Sequence, residues 1–158
     1  MLLALDLSSP VLAVLSAAAL GFAVGFVPIG LAEVLAVTIG AVTPPGLALA
    51  MLAAFTVAHV LGKVGWYWLG TLADRVTHPR SRALIGQAKE LMSKRPAYSA
   101  GILGSAALAS VPPFHLAAIA AGIARYPFGR FMIVCLAGRA IRFAALASVP
   151  SLIRALAG

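Results

Sequence analysis

The stretch from Tyr98 to Ala124, YSAGILGSAALASVPPFHLAAIAAGIA, sets how the rest of the chain is read. It is apolar throughout, yet Pro112-Pro113 divides it. A helix rises about 1.5 Å per residue, and about 20 residues are needed to cross about 30 Å of hydrocarbon. Tyr98–Val111 has 14 residues and Phe114–Ala124 has 11, so neither crosses alone. Two adjacent prolines remove two N–H donors and disfavour helix at the residue before them. The spacing predicts a re-entrant hairpin with Pro112-Pro113 at its tip.

The whole chain has the composition of such a setting. Of 158 residues, 62% are hydrophobic and 10% charged, where a soluble domain carries about 25% charged residues. Soluble globular, disordered and collagen-like classes are excluded. Twelve Lys and Arg oppose four Asp and Glu, but six of the twelve lie in Ala73–Ala97. Clustered charge of this kind orients a chain in a bilayer, so nucleic acid is not expected as a partner. The single cysteine, Cys135, rules out an intrachain disulfide framework and a cysteine metal cluster. No metal or cofactor is expected. H-E-x-x-H, G-x-S-x-G and P-loop patterns are absent, so no enzyme activity is expected.

The apolar tracts are Pro10–Val42, Pro44–Leu72, Tyr98–Ala124 and Pro127–Leu152. The first is broken like the third: Val11–Val27 leads in, Pro28-Ile29-Gly30 turns, and Leu31–Val42 returns. The second and fourth, of 29 and 26 residues, can span. Thr43 before Pro44-Pro45 predicts a helix start with a hydroxyl cap and proline in the first turn. The N-terminus lacks a basic n-region and is read as mature protein. With Ala73–Ala97 in the cytoplasm, residues 1–10 and 42–46 face outside and carry no Lys or Arg, while Arg125 and Arg130 fall inside. The positive-inside rule thus favours hairpin, span, hairpin, span.

The two hairpins then enter from opposite faces, an inverted repeat. At an offset of 82, Gly40 matches Gly122 and Pro45 matches Pro127, and Glu33 falls on His115. The expected fold is an all-α integral membrane protein forming one domain over 1–158. Its first repeat is 10–72, its connector 73–97 and its second repeat 98–154. Within Arg80–Arg95, Leu84, Ile85, Ala88, Leu91 and Met92 share one helical face. That predicts a basic amphipathic helix lying on anionic lipid.

Ionisable groups at membrane depth cost about 2.5–3.5 kcal/mol each, so each is a functional candidate. Glu33 is the one acid inside an apolar tract; it is read as a proton or charge-coupling residue, or as a partner for Arg139, Arg142 or Lys63. Arg139 and Arg142 are i, i+3 on the last span and share a face. Two guanidiniums there form a fork for phosphate or carboxylate, and one acid cannot neutralise both. His115, beside the second hairpin tip, is read as a headgroup contact, a proton relay or a packing histidine. His59 and Lys63, i, i+4 on the first span, are read as structural, with Lys63 snorkelling toward an interfacial belt of Trp66, Tyr67 and Trp68. Gly21-Phe22-Ala23-Val24-Gly25 matches GxxxG, a mark of close helix packing that is often internal.

These residues also carry a likeness. Val111-Pro112-Pro113-Phe114-His115, then Ala120-Ala121-Gly122, Phe131 and Gly138-Arg139-Ala140-Ile141-Arg142-Phe143, resemble the second half of the DedA family. This is the VTT-domain, or SNARE-associated Golgi protein, superfamily, and the nearest likeness is to its short bacterial branch. Pro28…Glu33…Gly40 resembles the family's acidic first hairpin, and Gly62-Lys63-Val64-Gly65-Trp66-Tyr67-Trp68-Leu69-Gly70 its glycine-rich, aromatic span end. The likeness covers roughly Gly25 to Phe143. It implies a multi-pass protein of the bacterial inner membrane, with opposed re-entrant hairpins, that scrambles or translocates phospholipid or polyprenyl-phosphate headgroups. By position, Glu33 is the hairpin acid and Arg139 and Arg142 the paired basic residues. Many members have an acid where this chain has Lys63, and longer members have arginines where it has Ala109 and His115.

The expected function is therefore a lipid transporter or scramblase, with membrane lipids as partners and an anionic headgroup as substrate. Arg139, Arg142 and His115 bind it and Glu33 balances the charge. The alternatives are a proton-coupled small-solute or ion transporter and a non-transporting membrane-organising protein. The oligomeric state is not legible.

Overall fold

In the computed structural model, the residues described are 9–27, 30–72, 90, 96–110 and 113–157. They form α1 (Pro10–Phe26), α2 (Leu31–Val42), α3 (Pro45–Thr71), α4 (Pro96–Ala109), α5 (Phe114–Ile123) and α6 (Phe128–Ala157), with no strand among them. Nearly all of the connector 73–97, including the stripe of the expected amphipathic helix, lies outside the described residues.

Prolines govern the breaks. Val27, before Pro28, ends α1 in an extended conformation with ψ 130°, and Thr43, before Pro44, ends α2 with ψ 139°, as the clash of a proline ring with the preceding residue requires. At the start of α3 the expected hydroxyl cap is not formed. The Thr43 hydroxyl donates instead to Met51 Sδ at 3.9 Å. The Pro44 carbonyl accepts the first helical bond, from Ala48 N–H at 2.8 Å, so the cap position falls one residue later. Proline does open α3, at Pro45. Beyond α5, Arg125 adopts φ +50°. Its N–H bonds the Gly122 carbonyl and that of Tyr126 bonds the Ala121 carbonyl, a left-handed terminus that glycine usually supplies.

The helices fall into two lengths. With 27 and 30 residues, α3 and α6 are long and apolar enough to cross a membrane, and α6 continues through Pro150, five residues past the expected end at Leu152. The others have 17, 12, 14 and 10 residues. Within these, α1 contacts α2 and α4 contacts α5.

The chain divides into two compact units: Met1–Gly62 with Arg139–Gly158, and Lys63–Gly138. The division passes through α3 and α6 rather than through the polar connector.

In the first unit, α1 turns small residues inward and large ones outward. Ala13, Ala17, Gly21 and Gly25 are buried, whereas Val11, Leu12, Leu15, Phe22 and Phe26 are exposed. The GxxxG pair is internal. A Cβ on Gly21 would meet the Phe55 carbonyl, one on Gly25 the His59 carbonyl, and one on Gly62 the Phe22 carbonyl. Backbone therefore lies on backbone between α1 and α3, the close approach that small residues permit. Gly40 of α2 lies in the same way against the Ala147 carbonyl of α6. Leu35, Ile39, Met51, Phe55 and Phe143 fill the core.

In the second unit, Gly122 of α5 lies against the Tyr67 carbonyl of α3, Gly70 against the Ile119 carbonyl, and Gly138 of α6 against Ala107 of α4. The Tyr67 hydroxyl donates to the Tyr126 carbonyl at 2.7 Å. Tyr67 thus does not join an interfacial belt. It is buried and Trp68 exposed, because adjacent helical residues point about 100° apart.

Candidate functional site

The charged site of the first unit joins residues more than a hundred positions apart. Gly30 precedes α2, and Glu33 lies in its first turn, where a helix favours negative charge. Arg139 and Arg142 stand one turn apart on α6. Both reach the same oxygen: Arg139 Nη1 is 3.4 Å from Glu33 Oε1, and Arg142 Nε and Nη2 are each 3.2 Å from it. These distances are longer than the about 2.7–2.9 Å of a tight charge-assisted bond. One carboxylate faces two guanidiniums, so with all three ionised the cluster carries one excess positive charge.

Burial separates the two arginines. The Arg139 side chain is 4% exposed, against 22% for Arg142 and 26% for Glu33. The Arg139 guanidinium also lies 5.7 Å from the centroid of the Phe143 ring, a cation–π contact. Phe143 meets Phe55 at 5.1 Å and His59 at 5.3 Å, both edge-on, and His59 stacks on Phe55 at 6.1 Å. The inner arginine is thus held by an aromatic column, while the outer arginine and the acid stay partly exposed. Phe143 was part of the family likeness but not a candidate; its i, i+4 spacing from Arg139 is the signal that could have found it.

Among the other candidates, His59 is buried in that column. His115 lies in the second unit, on α5, half-buried with its ring 5.8 Å from that of Trp66. Lys63, also in the second unit, is only 4% exposed, so the snorkelling expectation is corrected. Val60, Lys63, Tyr67 and Gly70 are all buried; their i, i+3, i+7, i+10 spacing is one helical face, and Lys63 stands on its inward side.

Compared with protein-family models, with curated proteins and with solved structures, the chain gives no match.

Proposed function

We propose that the protein is a membrane lipid transporter or scramblase that moves anionic headgroups, with Glu33, Arg139 and Arg142 as the headgroup site. The observation that carries this reading is the shared carboxylate oxygen: two arginines on one acid, at 3.2 and 3.4 Å, with the acid and one arginine partly exposed. A phosphate offers several oxygens to guanidinium N–H groups, where Glu33 presents its Oε1 to both arginines. The headgroup displaces the carboxylate from the arginines, and Glu33 retakes them when the headgroup leaves. Arg139, held against Phe143, stays in place through the exchange. His115 is proposed as a further headgroup contact in the second unit.

The fold proposed with this function is an inverted repeat of a re-entrant hairpin and a spanning helix, resembling the DedA family, in the bacterial inner membrane with 73–97 cytoplasmic. Three observations support it. The paired helices run about 15–26 Å at about 1.5 Å per residue, short of a bilayer. The outward faces carry large apolar side chains such as Leu49, Ile133 and Leu156, beyond what a soluble surface tolerates. Gly40 and Gly122, 82 residues apart, each rest on the backbone of a long helix, at Ala147 and at Tyr67. Hairpins that stop midway leave a thin apolar barrier over which a headgroup passes while its chains remain in lipid.

The test is translocation of fluorescent phosphatidylglycerol in proteoliposomes, read by external dithionite bleaching. Bleaching beyond the outer-leaflet half supports the reading. Proton-dependent solute flux without lipid movement would favour a solute transporter instead.

A further inference from the structure

A second feature of the first unit is an apolar groove with one polar side. A groove of about 590 Å³ lies between the α2–α3 turn and the end of α6, within the about 300–1,000 Å³ of small-ligand sites. Val42, Leu49, Leu52 and Ala144 make its apolar walls, and Ser148, Ser151 and Arg154 its polar side. Arg154 Nε donates to the Pro150 carbonyl at 3.2 Å, which orients the guanidinium and leaves its two Nη groups without another partner among the described residues. Among the described residues no acidic side chain lines the groove, and Arg154 is the charged side chain there. The Ser148 and Ser151 hydroxyls donate to the Ala145 and Ser148 carbonyls, both at 2.7 Å. Their protons are committed to the helix, and their oxygens remain as acceptors.

We propose that this groove holds one anionic phosphoglyceride with a hydroxylated headgroup, phosphatidylglycerol being the probe. Its phosphate takes the Arg154 Nη groups, its headgroup hydroxyls donate to Ser148 and Ser151, and its chains lie along Val42, Leu49 and Leu52. Charge complementarity selects this occupant. A zwitterionic headgroup brings a cation against Arg154, and it brings no net charge to balance the arginine. A free phosphate leaves the apolar walls uncovered. The inference rests on the membrane reading above but concerns different residues. In the proposed orientation the 42–46 turn faces away from the cytoplasm, so this lipid belongs to the outer leaflet.

The experiment is photolabelling of the full chain in proteoliposomes with diazirine-tailed phosphatidylglycerol or phosphatidylcholine, adducts being mapped by mass spectrometry. Translocation is measured on the same preparations. The expected result is phosphatidylglycerol labelling concentrated in 42–52 and 144–151, with the phosphatidylcholine probe labelling these segments weakly. Arg154→Gln lowers the labelling about tenfold, the loss of one charge-assisted contact. Ala144→Trp, which fills the groove without touching its charge, lowers it too. Labelling spread evenly over the apolar surface, indifferent to headgroup or to R154Q, overturns the inference whether or not translocation persists. Loss of labelling to excess inorganic phosphate overturns it as well, by making the groove a site for free phosphate. Absence of translocation with this labelling intact overturns only the transport reading.

Discussion

Arg142 and Glu33 are 109 positions apart in sequence and 3.2 Å apart in the structure. Glu33 Oε1 serves Arg139 as well, so the acid closes α2 onto α6 through two charges at once. Removing one partner of a fully buried ion pair costs about 3–5 kcal/mol, because the other charge stays behind; with Glu33 and Arg142 partly exposed, this cluster is expected to lose less. Arg139→Gln is expected to cost more stability than Arg142→Gln, since Arg139 is the more deeply buried. Thermal melting in detergent checks the order. Glu33→Gln combined with Arg142→Gln is expected to lose less than the sum of the two single changes, the coupling a mutant cycle measures.

Backbone contact at glycine makes a sharper steric prediction. A side chain on Gly25 would enter the His59 carbonyl, and one on Gly122 the Tyr67 carbonyl. Gly25→Leu and Gly122→Leu are each expected to cost about 1–3 kcal/mol or more by overpacking. Gly104 has nothing within 4 Å of an added Cβ. Gly104→Ala is expected to be neutral or to raise the melting temperature, as Ala exceeds Gly in helix interiors by about 0.5–1 kcal/mol.

Tyr67→Phe tests the tie within the second unit. It deletes the 2.7 Å bond to the Tyr126 carbonyl and leaves the ring contacts with Phe128 and Phe131 in place. A loss of about 1–3 kcal/mol is expected, the cost of a buried acceptor left unsatisfied. A melting temperature equal to the wild type would show that the carbonyl finds another donor.

Arg125 at φ +50° occupies the region where an L-residue with a Cβ is strained by about 1–2 kcal/mol. Arg125→Gly is expected to hold or raise stability. Arg125→Val is expected to lower it, since a β-branched residue fits that region worst. Unfolding of the two variants side by side checks the sign.

These particulars show which features can be read from a sequence. Proline acts on its own neighbours, so the breaks before Pro28 and around Pro112-Pro113 were visible at once, and with them the lengths of α1, α2, α4 and α5. The i, i+3 spacing of Arg139 and Arg142 depends only on helix geometry, and Glu33, the one acid inside an apolar tract, is the partner that charge allows them. Long-range placement was not visible. Nothing near Gly40 names Ala147, and nothing near Thr43 names Met51. Lys63 sits close enough to three aromatic residues to reach an interface, and only the burial of its helix face says that it does not. Arg125 in a left-handed turn carries no local signal because glycine ordinarily takes that position.

The most direct test of the central claim is the rate of phosphatidylglycerol translocation in proteoliposomes for the wild type, Arg142→Gln and Arg142→Lys, each shown to be folded by its melting curve. The expected result is wild-type translocation, a fall of about tenfold or more in R142Q, and partial recovery in R142K, which keeps the charge but not the fork. Equal rates in all three folded proteins would contradict the assignment of the Glu33–Arg139–Arg142 cluster as the headgroup site.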